Sequence, residues 1–204
     1  MIKRILLVLV LPLLFAGCTT LDVKQDSGSP SFTTTNENAT KAKIYKAVYL
    51  EPEKGGELTD SDLKNHPEVF VVHTGNQLVS AVKDKIAIWI DKDSVDSVDI
   101  NWLQSSSLRF FPKVVVGYNN PVYAFSERLH LSYWHGFGIR PIDWSKQRLE
   151  PGFSVAMWKE EKTQTQAIIT QYDGTPNVLK ILNITNALLE GKDIPSTTPP
   201  KINY

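Results

Sequence analysis

The chain has 204 residues, 42% hydrophobic and 22% charged, with 22 basic and 22 acidic side chains and so no formal net charge. Those proportions argue against disorder over its whole length. With no basic excess there is no general electrostatic pull on phosphates, which disfavours nucleic-acid binding.

The first residues read Met1-Ile2-Lys3-Arg4, then an apolar run from Ile5 to Ala16, then Gly17-Cys18-Thr19-Thr20. A short basic start, an apolar core and small residues at its end predict an export signal. The run covers twelve residues, against roughly 20 needed to span a bilayer. Pro12 within it also suits a transient segment better than a permanent helix. Leu14-Phe15-Ala16-Gly17-Cys18 resembles the lipobox of bacterial lipoproteins, with Phe15 where that family mostly has Leu, Val or Ile. The resemblance implies cleavage after residue 17, diacylglycerol on the Cys18 thiol, and often an acyl group on the new amine. It implies a protein held by lipid on the extracytoplasmic face of the cell membrane. Cys18 is the only cysteine, so no intramolecular disulfide can form. Each buried methylene contributes about 0.8 kcal/mol, and two or three acyl chains hold where one is marginal. Loss of residues 1–17 removes Lys3 and Arg4 and no acid, which leaves the mature chain slightly acidic. Thr19 after the cysteine, in place of Asp, carries no mark for inner-membrane retention in a double-membrane cell.

Residues 18–42 are Asp, Ser, Thr, Asn, Lys and Gly with few large apolar groups, and predict a flexible tether behind the lipidated cysteine. Residues 43–192 predict one domain, and residues 193–204, with Pro195, Pro199 and Pro200, an extended tail. Within the domain, 43–50 predicts a first strand and Asp60–Asn65 a short helix. Val69–Val72 is a continuous apolar strand, and 75–84 carries Leu78, Val79 and Val82 on one helical face. Ile86–Ile90 is a second such strand. After it Ser94 is placed to cap a helix with apolar positions Val95, Val98, Trp102 and Leu103. Lys113–Gly117 is a third, and Asn119-Asn120-Pro121 opens a helix carrying Val122, Phe125 and Leu129. Three strand-then-helix units with fully apolar strands predict parallel strands covered on both faces. Phe153–Trp158 and Gln166–Tyr172 alternate and predict an antiparallel hairpin, and Pro176–Leu189 a closing helix. The predicted fold is α/β, a three-layer sandwich whose mostly parallel sheet carries the C-terminal hairpin at one edge.

Ligands of parallel α/β sheets sit beyond the carboxyl ends of the strands. The residues predicted there include His73, Thr74 and Asn76, then Asp91, Lys92 and Asp93, then Tyr118, Asn119 and Asn120. Thr74, Asn76, Asp91, Asp93, Asn119 and Asn120 are therefore the candidate ligand-binding residues. The same residue types cap helices and shape turns, and this reading stands beside the first. Asp91-Lys92-Asp93 after an apolar strand resembles the Asp-x-Asp signature of haloacid-dehalogenase-type phosphatases. That resemblance implies Asp91 as nucleophile, Asp93 as acid/base, and a divalent cation nearby. Ser94-Val95 stands where that family continues Gly-Thr. His66, His73, His130 and His135 show no zinc-binding spacing, and no Gly-x-Ser-x-Gly elbow is present, so neither metal nor cofactor is expected.

Residues 131–151 form a long predicted loop with Tyr133, Trp134, Phe137, Arg140 and Trp144, residue types that dominate binding hot spots. They are a candidate partner surface, or a satellite core over a sheet edge. Ile86–Ser94 and Phe111–Phe125 are similar to stretches of exported proteins of Gram-positive bacteria. The leading expectation is a lipid-anchored module that binds a partner protein, a wall component or a small ligand. The alternative is a tethered phosphatase-like hydrolase acting through Asp91 and Asp93.

Overall fold

The structure, a computed structural model, describes residues 45–83, 86–131, 149, 151–160 and 165–194. Cys18, the tether, most of the aromatic loop and the tail from residue 195 onward lie outside the described residues. Among the described residues the sheet has six strands: β1 (Ala47–Leu50), β2 (Val69–Val72), β3 (Ala87–Asp91), β4 (Lys113–Val116), β5 (Gly152–Glu160) and β6 (Thr165–Asp173). Their order is β2-β1-β3-β4-β5-β6. The first four run parallel, and β5 and β6 run antiparallel at one edge. This is the mixed α/β sheet that the apolar runs predict.

Side chains alternate between two cores. Val48, Leu50, Ile88, Ile90 and Val115 meet Leu78, Leu103, Phe125 and Leu129 on one face. Tyr49, Trp89, Val114, Val116 and Phe153 meet Ile181, Leu182 and Leu188 on the other. Both faces of the inner strands are covered, which is why their sequences show no polar alternation. The helices α1 (Asp60–Lys64), α2 (Gly75–Ala81), α3 (Ile100–Leu103) and α4 (Val178–Leu189) supply the cover, with short 3₁₀ turns between some of them. Asp62 ties α1 to α4, because its carboxylate accepts the Val178 N–H at 2.8 Å.

One helix expectation needs correction, and another predicted helix is present in a widened form. Ser94 makes no side-chain cap bond, and it leads into a 3₁₀ turn at Val95–Ser97 that ends at an extended Val98. The true cap is Asp99, whose Oδ1 accepts the N–H groups of Asn101 and Trp102 and starts the short α3. Asp99 offers a better-placed side-chain oxygen, a carboxylate in place of the Ser94 hydroxyl, and divides the segment. After Asn119-Asn120-Pro121 the coil widens into a π-helix over Tyr123–Arg128, which still buries Phe125 and Leu129. Such turns arise where the i→i−4 ladder is interrupted, and here Leu129 N–H reaches back to Ala124 O.

Lys113 is a charged residue taken into the core. It opens β4 at 1% exposure and donates from Nζ to the carbonyls of Leu108 (2.6 Å) and Phe111 (3.2 Å). Burial lowers its pKa from the ordinary 10.5 to about 8. The unfolded chain therefore binds more protons than the folded one between those two values. Stability is expected to rise as pH is raised from about 8 toward 10.5. Lys113→Met should flatten that rise. Urea unfolding midpoints across pH 7.5–10.5, a range chosen to bracket both pKa values, provide the check, and an equal slope in both proteins would refute it.

Candidate functional site

The site builds from the point where chain connections diverge. β1 leads outward to β2, β3 leads the other way to β4, and β1 and β3 lie side by side. The crevice at the carboxyl ends of such a pair is the usual ligand position in open α/β sheets. Here the β1–α1 loop fills it. Asp91, the last residue of β3, is fully buried, and its Oδ2 accepts the Tyr49 hydroxyl at 2.5 Å and the Glu57 N–H at 2.7 Å. Oδ1 accepts the N–H of Asp93 at 3.0 Å. Burial and the adjacent Asp91 carboxylate hold the Tyr49 hydroxyl far above its usual titration range, so it remains a donor. Gly56 lies directly over this contact: a side chain there would run into Tyr49 Oη and Asp91 Oδ2.

A second tie sits at the surface. Lys92 Nζ bridges Asp93 (2.7 Å) and Glu57 (3.2 Å). The hydrogen bond it donates to Asp93, helped by Glu57, raises the Lys92 pKa against a smaller opposing effect of burial. Behind the loop, Glu51 follows β1 and is 6% exposed. Its Oε2 is 3.9 Å from His73 Nδ1, and its Oε1 has no hydrogen-bond partner. Burial raises its pKa, opposed by His73 and by the Gly56 N–H.

Five of the six candidate side chains are engaged locally, and Asn76 is engaged through its main-chain carbonyl. Thr74 forms a capping box with Gln77 at the start of α2, and the Asn76 carbonyl accepts Ser80 Oγ. Asp93 is an exposed ion-pair partner of Lys92. Asn119 Nδ2 donates to Asp173 at 2.8 Å, tying the end of β4 to β6. Asn120 Oδ1 accepts the Val122 and Tyr123 N–H groups. Of the aromatic loop, Tyr133, Trp134, Phe137, Arg140 and Trp144 lie outside the described residues. Sequence reasoning passed over Tyr49, Glu51 and Gly56. Glu51-Pro52 sits directly after β1 and reads as a polar turn, and the double glycine 55–56 is the only hint of a close approach.

Beside β2 lies a groove of about 450 Å³ that Phe70, Val71, Val72, His73, Asn76 and Ser80 help to line. Among the described residues, no group of three or more His, Cys, Asp or Glu side chains is arranged to hold a metal ion. No described helix is long and apolar enough to cross a membrane. Fold and site together define a mixed-sheet α/β domain whose switch-point crevice is filled by its own β1–α1 loop. No protein-family model, curated protein or solved structure matches the chain.

Proposed function

We propose that this protein is a lipoprotein anchored through Cys18 on the extracytoplasmic face of the cell membrane, and that its α/β domain is a binding module. The observation that carries the second half is the state of Asp91. A nucleophilic carboxylate needs an exposed oxygen facing substrate. Asp91 has none, and its hydrogen bonds hold the chain's own loop in the crevice instead. The groove beside β2 is a concavity open to a ligand, in the size range of small-molecule sites. The anchor rests on the basic start, the twelve-residue apolar run and Ala16-Gly17-Cys18.

Cys18→Ala is expected to abolish labelling by a tagged fatty acid and to leave unprocessed precursor in the cell. Equal labelling of variant and wild type would remove the anchor from the proposal. Mg²⁺-dependent phosphate release by the purified protein, lost in Asp91→Asn at unchanged melting temperature, would replace the binding module with the hydrolase.

A further inference from the structure

β2 forms one side of the sheet, and among the described residues it pairs with β1 and with no strand on its other side. Its bonds to β1 run through alternate residues, with Val72 O accepting the Glu51 N–H. The pairing therefore turns the main-chain groups of Phe70 and Val72 inward and those of Val69, Val71 and His73 outward. Two of the outward donors are already taken. Val69 N–H goes to His66 O at 3.0 Å, and His73 N–H to Gln77 Oε1 at 2.9 Å. What stays open among the described residues is centred on Val71, whose N–H and C=O both face out.

Exposed edges are usually blunted by a charge, a proline or a bulge. β2 is Val69-Phe70-Val71-Val72 and α2 beside it is Gly75–Ala81, with no charged residue in either, and Phe70 is 38% exposed. An opening one residue wide suits one partner above others. Antiparallel residues that face each other exchange both of their bonds, and Val71 can do so with Val71 of a second copy across a two-fold axis. A longer foreign strand would find the next donors along the edge already bonded. The same register sets Phe70 opposite the second copy's Val72, and Val69 opposite its His73, so no like charges meet. The axis stands perpendicular to the sheet and leaves both α2 helices on one face. The groove that β2 and α2 line in one copy then runs into that of the other, over a floor of two β2 strands.

We propose that two copies of this chain pair antiparallel through β2, Val71 against Val71, and that each copy completes the other's groove. This goes beyond the binding-module reading, because it concerns what forms the groove and is independent of what the groove holds.

The test is sedimentation velocity on the full chain in density-matched detergent micelles, taken through the micromolar range in which short interfaces dissociate. A monomer–dimer equilibrium is expected. Phe70→Lys sets a charge on the edge at an exposed position and should weaken the dimer at least about tenfold. Ile169→Lys makes the same change at similar exposure on β6, the opposite edge, and should leave the dimer unchanged. Oxidative cross-linking reads the register without depending on how the lysine variants fold. In a full chain carrying Cys18→Ala, Val71→Cys should give a covalent dimer, since facing Cα atoms lie about 5.5 Å apart, within disulfide reach. Ile169→Cys in the same background should not. A monomer at every concentration, a dimer untouched by Phe70→Lys or lost in Ile169→Lys, or no cross-link through Val71→Cys would each overturn the proposal. A monomer leaves the binding-module reading standing, whereas Mg²⁺-dependent phosphate release ends that reading and leaves the dimer.

Discussion

Asp91→Ala should destabilise the domain by about 3–5 kcal/mol, since each buried donor left without an acceptor costs roughly 1–3 kcal/mol. Three donors lose their acceptor at once: the Tyr49 hydroxyl and the N–H groups of Glu57 and Asp93. The Tyr49 side chain is fully buried and cannot turn to water for a replacement. Asp91→Asn should lose most of the same amount, because its amide nitrogen would turn a donor toward other donors. Urea denaturation with an unchanged slope and a lower midpoint is the expected record. A catalytic aspartate would behave in the opposite way, since removing it usually leaves stability unchanged or raised. Variants as stable as wild type would therefore dismantle both the structural account of Asp91 and the argument against the hydrolase.

The second large effect is expected at Gly56. Its missing side chain leaves room for Tyr49 Oη and Asp91 Oδ2, and a methyl group would overlap both. Neither atom can step back, because they are bonded to each other beneath the loop. Overpacking of this kind costs about 1–3 kcal/mol, and Gly56→Ala should do so by lifting the β1–α1 loop. Removing the Asp91 carboxylate takes away one of the two obstacles and frees the Tyr49 hydroxyl from its hydrogen bond, so Gly56→Ala should cost less in an Asp91→Ala background than in the wild type. A double-mutant cycle in urea reads that coupling directly. Strict additivity would mean that the glycine matters for some other reason.

The strands are legible because burial on both faces writes itself into local sequence. Ile86–Ile90 and Lys113–Gly117 can be little else once their length and flanking turns are considered. The hairpin is legible through alternation, and the opening of the last helix follows from Asn177, which accepts the Lys180 N–H. The segment after β3 misleads because Ser94 and Asp99 are both eligible caps, and only the geometry of Val98 decides between them. The π-helix has no periodic signature that separates it from an α-helix over six residues. At the site, Asp91 is visible as a strand-end acid, but its role is not. Its principal partner, Tyr49, is 42 positions away and belongs by pattern to an ordinary buried strand. Glu51 and His73 meet just after neighbouring strands, and no sequence pattern marks that pairing.

The strand order also sets when this domain can begin to fold. β1 is the first strand among the described residues, yet it lies between β2 and β3, and both of its neighbours come later. All four of its residues are buried, so alone it is an open apolar ribbon with two unpaired edges. Its second edge is not covered until residues 87–91 are available. Parallel pairings join segments far apart along the chain, and the entropy of closing those loops is lost before any contact repays it. The smallest set of strands that pairs both edges of β1 is the trio β2-β1-β3, which Asp91 ties together through the Tyr49 hydroxyl. A chain emerging from its N-terminus passes nearly half its length before that tie can form, and until then Tyr49 and its neighbours remain open to whatever meets them first.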